Sequence, residues 1–336
     1  MNILLCSAGR RPYIVRWFKE ALIDNGIEGC VITADVDAFA ASKVVADEFV
    51  QAPAASSESY PQWLSDVLKA KNISIAISVN DFELSVWANL PNSEDYSALV
   101  RLDVKTQEVV EDKLEMAMRL DEVGVPSPRT WTGLEAKKLE MLPGKFVTKG
   151  RFGSASRGLR FSDAQGIVDA VSEATKEVTN RWGELALEQD DFEPENLVVI
   201  QQLVEGVEFG LDVVCDWEGK FASVLARQKV SMRSGETDKA TSVPSAQFEE
   251  VAKLVATAVP HRGLIDVDVI VDPGGRVFVI DVNPRFGGGY PFSHLAGARI
   301  PSAYVAWADN RDPHLDWLES LPGVSSSKYV ETVVVS

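Results

Sequence analysis

The stretch Asp268–Gly297, DVIVDPGGRVFVIDVNPRFGGGYPFSHLAG, constrains this chain more than any other. Two apolar segments that alternate with acids are joined by Asp272-Pro273-Gly274-Gly275, a turn composition that predicts a β-hairpin. Asp268 and Asp281 fall at the same relative point of the two predicted strands, so a hairpin sets them side by side. The strands are apolar enough to be core, and a core strand seldom carries a carboxylate without a partner. Two carboxylates beside the carboxamide of Asn283 make a hard oxygen cluster suited to Mg²⁺. Arg285, two residues on, stands where a phosphoryl group bridged to that metal needs a fixed positive charge. Gly287, Gly288 and Gly289 then form a flexible exit from the strand. A solvated acidic hairpin is the competing reading, and the apolar strands weigh against it.

Upstream, Ile3–Cys6 reads as a strand ending in Ser7-Ala8-Gly9-Arg10-Arg11, followed by a helix over Tyr13–Leu22. Strands over Cys30–Ala34 and Ile73–Val79 and a helix over Tyr60–Ala70 continue the alternation. Continuous apolar strands separated by helices predict a parallel sheet covered on both faces, a Rossmann-like lobe over residues 1–104. Neither G-x-G-x-x-G nor G-x-x-x-x-G-K-[ST] occurs, so no dinucleotide or P-loop site is placed there. Ligands still bind at the carboxyl ends of such strands, which makes Gly9, Arg10, Asn80, Asp81 and Glu83 candidates to face a substrate. Arg10-Arg11 reads equally as a solvated pair at a helix start.

Residues 105–190 form a second predicted lobe. A helix over Asp103–Val123 carries Lys113, and a strand over Lys145–Lys149 delivers Lys149 into a loop, Gly150–Gly158. The glycines and small residues of that loop, Gly153, Ser154, Ala155, Ser156 and Gly158 among them, let backbone N–H groups approach an anion. Phe161–Lys176 reads as a covering helix. The third lobe, residues 191–336, opens with a strand at Leu197–Ile200 running into Gln201–Glu208. Strands follow at Phe209–Cys215 and Phe221–Arg227, then a polar loop over Gln228–Thr237, a helix over Gln247–Val259 and the hairpin. A helix at Pro301–Trp307 and a closing strand at Lys328–Val335 end the chain. The expected class is α/β, with a small lid lobe and a C-terminal mixed-sheet lobe.

Bulk properties narrow the partners. At 336 residues the chain suits two or three lobes rather than one core. A formal charge of −17 argues against nucleic acid or an anionic membrane, which require a basic face. No apolar run approaches the ~20 residues of a membrane span, and the basic residues of MNILLCSAGRR follow the apolar run, the reverse of a signal peptide, so a cytoplasmic protein is expected. Cys6, Cys30 and Cys215 lie far apart without metal spacing and read as buried free thiols.

The order of motifs resembles the ATP-grasp superfamily, with its nearest look in the carbamoyl-phosphate-synthase-like branch of carboxylate–amine ligases. A helix lysine precedes a strand lysine that runs into a Gly/Ser loop. Gln201-x-x-Val204 comes next, then Gly206-x-Glu208, the Gly263-x-x-x-Val267-Asp268 strand and Asp281-x-Asn283-Pro284-Arg285. The likeness covers most of residues 1–310. It implies that Lys113 and Lys149 hold ATP phosphates and that the loop Gly153–Gly158 folds over them. It further implies that Gln201, Gln202, Leu203 and Val204 form the adenine hinge and that Glu208 faces the ribose. Asp268, Asp281 and Asn283 would coordinate Mg²⁺ (or Mn²⁺), and Arg285 would steady the transferring phosphoryl, with Lys149 and Asn283 beside it. The family usually carries Glu at the place of Asp281, Glu or Gln at that of Asp268, and Glu at that of Gln202.

The activity so implied is an ATP-dependent ligase that makes an acyl phosphate from a carboxylate and joins it to an amine. Arg233, Glu236 and Thr237 are candidates for reading the substrates, and Gly287, Gly288 and Gly289 for lying along the activated carboxylate. A solvated loop is the competing reading of the first three. Bicarbonate activation and a regulator that binds nucleotide without turnover are the rival functions. A homodimer is common in this fold.

Overall fold

The computed structural model describes residues 1–139, 143–153, 159–182, 193–233 and 235–335, with side chains 180–182 excepted. Three sheets organise the chain. The first contains β1 (Asn2–Cys6), β2 (Val31–Asp35), β3 (Glu48–Gln51) and β4 (Ile73–Ser78) in the order β3-β2-β1-β4, parallel at every pairing. Helices α1 (Pro12–Asp24), α2 (Tyr60–Ala70) and α3 (Asp81–Ala88) connect or follow its strands. Asn80 caps α3, its side chain accepting from the amides of Phe82 and Glu83. Burial of both faces explains why β1, β2 and β4 read as apolar runs, whereas the edge strand β3, with Glu48 and Gln51 exposed, carries no such pattern.

The long helix expected over Asp103–Val123 is two: α4 (Val104–Glu111) and α5 (Lys113–Glu122). Asp112 adopts an extended backbone between them and N-caps α5 through the amides of Leu114 and Glu115. Next come β5 (Thr130–Thr132), α6 (Ala136–Leu139), β6 (Lys145–Gly150), β7 (Arg160–Asp163) and α7 (Ile167–Trp182). Phe161 thus sits on a strand paired with β6, and the covering helix begins six residues later than expected. The second sheet runs β5-β8-β6-β7. Its central strand β8 (Val198–Gln202), expected to open the third lobe, pairs with β5 and β6 instead.

The third sheet is built from β9 (Val207–Cys215), β10 (Phe221–Arg233), β11 (Glu236–Val243), β12 (Gly263–Val271), β13 (Val277–Asn283) and β14 (Ser325–Ser327), in the order β13-β12-β9-β10-β11-β14. Where a mixed sheet was expected, every pairing is antiparallel, both between consecutive strands (β9 with β10, β10 with β11, β12 with β13) and between distant ones (β9 with β12, β11 with β14). The expected polar loop over Gln228–Thr237 is the distal half of β10 and the start of β11. The closing strand is Ser325–Ser327, ahead of the predicted Lys328–Val335. One face of this sheet packs Phe209, Leu211, Val213, Ile265, Val267 and Val269 against α4, α5 and α8 (Glu249–Ala258). Helices α9 (Tyr290–Leu295) and α10 (Ile300–Ala308) follow the triglycine, and α10 joins the core of the first sheet with Phe18 and Val15. Cys6 and Cys215 are buried, whereas Cys30 is exposed. Among the described residues no helix is long and apolar enough to cross a membrane.

Candidate active site

Strand alternation places the chemistry. On β12 the apolar Ile265, Val267 and Val269 enter the core, so Asp266 and Asp268 project from the opposite face. On β13 the same alternation through Val277 and Val279 would drive Asp281 into the core. A β-bulge prevents this: Asp268 pairs with Asp281 while Val269 pairs with Val279, leaving Ile280 as the extra residue. Asp281 and Asn283 therefore share a face with Asp266 and Asp268, and Val282 returns to the core. The Asn283 amide lies 3.4 Å from Asp281 Oδ2. The sheet-wide face also receives Glu208 and Asp212 from β9 and Arg227 and Lys229 from β10.

The cations of β10 were not anticipated. Lys229, 5% exposed, sits 2.7 Å from Glu208 Oε1 and 2.7 Å from Asp268 Oδ1. Burial pushes the Asp268 carboxyl up, with Lys229 opposing and Asp266 and Asp281 reinforcing. Arg227, 1% exposed, donates to Asp212 Oδ2 and Asp266 Oδ1, both at 2.6 Å, and Ser293 also donates to Asp212. The triglycine packs on this network. A Cβ on Gly287 would lie 2.1 Å from the Asp266 carboxylate, and one on Gly289 would lie 2.0 Å from Arg227 Nη2. Close approach over buried charge, rather than loop flexibility, fixes these two glycines. A signal for the missed cations was present: Arg227 and Lys229 are two apart, the spacing of one strand face.

From the second sheet, Lys149 at the end of β6 reaches the Ile280 carbonyl at the bulge, 3.3 Å away. Burial brings its ammonium down to about 8, with Asp281 and Asp268 opposing and Lys113 reinforcing. Lys113 opens α5 and donates to the Gly153 carbonyl at 2.6 Å. Its placement rests on Arg151, which grips Asp112 bidentately at 2.8 and 2.6 Å. Ser154, Ala155, Ser156 and Gly158 lie outside the described residues. Gln201 is on β8, its carboxamide donating to Thr130, and a cavity lined by Lys113, Met116, Gln201, Ile280, Asp281 and Val282 joins it to the hairpin. Gln202 is exposed, and the Leu203 amide is taken by the Lys145 carbonyl, so that amide does not read a base. Among the described residues the Val204 amide donates no hydrogen bond.

Arg285 is fixed by the first lobe: Nε and Nη2 donate to Asp81 at 2.5 and 2.9 Å, and Nη2 lies 3.4 Å from Asn283 Oδ1. Asp81, at the start of α3, thus ties the first lobe to Arg285. Arg10 is exposed, and it is Arg11 that reaches inward, donating to the Phe286 carbonyl at 3.0 Å and standing 3.8 Å from Glu236. Glu83 does not face a substrate. It is 3% exposed and receives hydrogen bonds from Tyr60 and Ser78, both 2.5 Å, inside the first lobe. Glu236 pairs with Lys328 at 2.9 Å. Burial pushes its carboxyl up, but Lys328, Arg11 and Arg285 bring it below the ordinary range. Thr237 is buried opposite Met232, and Arg233 is exposed at the hairpin end. Gly288 lies beside Glu236 and Lys328.

A family model described as "ATP-grasp domain" matches residues 110–289, more than half of the chain. The chain belongs to the ATP-grasp family. A second model, "PylC-like, N-terminal domain", matches residues 3–98. The carbamoyl phosphate synthase large chain of Methanosarcina acetivorans is 28% identical over 124 residues, 34% of this chain and 11% of that protein. Among solved structures, Rhizobium etli pyruvate carboxylase superposes with a TM-score of 0.71 at 19% identity, covering 95% of this chain and 30% of that one. An L-amino acid ligase from Bacillus licheniformis gives 0.64 at 16% identity, covering 90% and 73%. This ATP-grasp chain therefore spans only about a tenth of the curated relative and under a third of the carboxylase.

Among the described residues no group of three or more His, Cys, Asp or Glu stands ready to hold a metal. Among them Asp281 makes no ion pair, Asn283 turns its amide nitrogen to it, and Asp268, its partner in register, is held by Lys229. With the carboxamide turned, these three side chains supply the oxygen donors that suit a divalent cation.

Proposed function

We propose that this ATP-grasp chain is an ATP- and Mg²⁺-dependent ligase that activates a carboxylate as an acyl phosphate and passes it to an amine, releasing ADP and phosphate. One observation carries the reading. Lys113 and Lys149 present ammonium groups that make no ion pair among the described residues, on the side of the site where Asp281 also makes none, its Asn283 neighbour being shared with Arg285. A metal–polyphosphate completes both halves at once. Asp268, Asp281 and Asn283 would hold the metal, which when bound neutralises charge on the transferring phosphoryl. Lys149 and Lys113 hold the phosphate oxygens, and Arg285, anchored by Asp81, stabilises the equatorial charge and then the carbonyl oxyanion.

In the first step a substrate carboxylate oxygen bonds to the γ-phosphorus and the bond to the bridging oxygen of ADP breaks. In the second the amine nitrogen bonds to the acyl carbon, the acyl–oxygen bond breaks, phosphate leaves, and the amine loses a proton to solvent. The amine we read as amino-acid-like. Glu236 offers an ammonium partner, and Arg11 with Lys328 offers carboxylate partners, beside the side-chain-free Gly288.

The test is incubation with Mg-ATP and pooled amino acids and organic acids, following ADP, AMP, amides and hydroxylamine-trapped hydroxamates. ADP with an acid-dependent hydroxamate is expected, reduced at least ~100-fold in Arg285→Ala with the fold intact by circular dichroism. AMP release would sink the acyl-phosphate mechanism. Bicarbonate-dependent ADP release without hydroxamate would transfer the site to carboxyphosphate chemistry, the rival that the names of the carbamoyl phosphate synthase and pyruvate carboxylase relatives suggest.

A further inference from the structure

On the charged face of the third sheet nearly every carboxylate is already matched. Arg227 holds Asp212 and Asp266, and Lys229 holds Glu208 and Asp268. Asp281 is left without an ion pair among the described residues, with the Asn283 amide at 3.4 Å as its neighbour. Lys229 is not a loosely placed surface lysine. Its side chain is 5% exposed, and its ammonium is fixed between two carboxylate oxygens at 2.7 Å each, one from β9 and one from β12.

We infer that Lys229 is a positioning residue that makes metal binding at this site conditional on nucleotide, by occupying Asp268 in the nucleotide-free protein. Hard divalent cations need about six oxygen donors and hold tightly only where negative charge is concentrated. With Lys229 on Asp268, a bare cation meets one unmatched carboxylate, one carboxamide and a fixed positive charge alongside. Phosphate oxygens supply both the missing donors and the missing charge, so the cation enters with the nucleotide. Lys229 also ties Glu208 to Asp268, so the predicted ribose side and metal side of the site are set together before either is filled. This inference rests on the metal assignment to Asp268, Asp281 and Asn283.

The experiment uses the full chain and Mn²⁺ alone as probe, titrated by the loss of the free-ion paramagnetic resonance signal, without nucleotide and then with ADP. Wild type is expected to take up Mn²⁺ weakly alone and at least about tenfold more tightly with ADP. Lys229→Met is expected to bind Mn²⁺ alone at least about tenfold more tightly than wild type, because a like charge is removed and a carboxylate is freed. Lys229→Arg keeps the charge and should behave as wild type. Lys229→Gln, which removes the charge but keeps a hydrogen-bond donor between Glu208 and Asp268, should gain Mn²⁺ affinity in the same direction and keeps the test decisive if Lys229→Met folds poorly. Equal affinity of wild type and Lys229→Met for Mn²⁺ alone overturns the inference while leaving the site assignment standing. Failure of wild type to bind Mn²⁺ even with ADP overturns the metal assignment and the inference with it.

Discussion

Gly289→Ala tests how the turn after Arg285 is held. A Cβ there falls 2.0 Å from Arg227 Nη2, 2.3 Å from Nε and 2.4 Å from Cζ, against the ~3.5 Å of an ordinary contact. The guanidinium has nowhere to go, because it is 1% exposed and held at 2.6 Å by Asp212 and by Asp266. Either the backbone shifts by about 1.5 Å, or Arg227 abandons a buried carboxylate. The second route costs about 3–5 kcal/mol and the first about 1–3 kcal/mol. The cheaper route sets the expected loss, about 2 kcal/mol, read as a lower urea midpoint at unchanged slope. The same shift would carry Arg285, four residues upstream, away from Asp81, with ADP formation falling about 100-fold. Gly288→Ala is the control. Its Cβ would meet Glu236 Oε2 at 3.1 Å and Lys328 Nζ at 3.2 Å, partly exposed ends that can swing aside, so a loss below about 0.5 kcal/mol is expected. None of the three glycines has a left-handed φ, so backbone preference does not separate them. Equal losses at Gly288 and Gly289 would refute the close-approach argument.

Two further outcomes follow from the lysine pair. Burial holds Lys149 down to about 8, and bound phosphate favours its charged form, so binding takes up a proton above that pH. Mg-ADP affinity should be flat below about pH 8 and fall up to about tenfold per unit above it. Lys149→Arg should remain flat in calorimetric titrations, and a flat wild-type profile through pH 9 would contradict the assignment. Arg151→Ala leaves the largely buried Asp112 without its bidentate partner and loosens the start of α5. A loss of about 3 kcal/mol by denaturant unfolding, with weaker nucleotide binding through Lys113, is expected. Loss of stability with unchanged nucleotide affinity would remove Lys113 from the site.

Much of the first sheet was legible because its strands are buried on both faces and its helices carry regular apolar spacing. The β12–β13 hairpin was legible because turn chemistry and strand alternation coincide there. Errors fell where local pattern and tertiary partner disagree. The apolar periodicity of Val109, Val110, Leu114 and Ala117 runs straight through Asp112, so one helix was expected. The break is made by a cap that Arg151, 39 residues on, holds in place. Gln228–Arg233 looked like a loop because it is polar, yet polar residues suit a strand whose open face is the site. Glu83 looked like a ligand because it follows a strand end. Its neighbours Tyr60 and Ser78, invisible as partners in a linear reading, make it a buried acceptor.

The sequence alone determined that Asp268 and Asp281 would meet, because both lie at one level of a hairpin whose turn is written in Asp-Pro-Gly-Gly. It did not determine which way Asp281 would point. Counted from Val277 and Val279, alternation sends that carboxylate into the core. Pairing with β12 inserts Ile280 as a bulge, turns Asp281 to the site face and leaves the Ile280 carbonyl to receive Lys149. Side-chain period is a local property of the backbone, whereas register belongs to two strands at once. The orientation of the Asp281 carboxylate was therefore decided by tertiary pairing, as were the cations Arg227, Lys229 and Arg11 placed on the same side of the sheet.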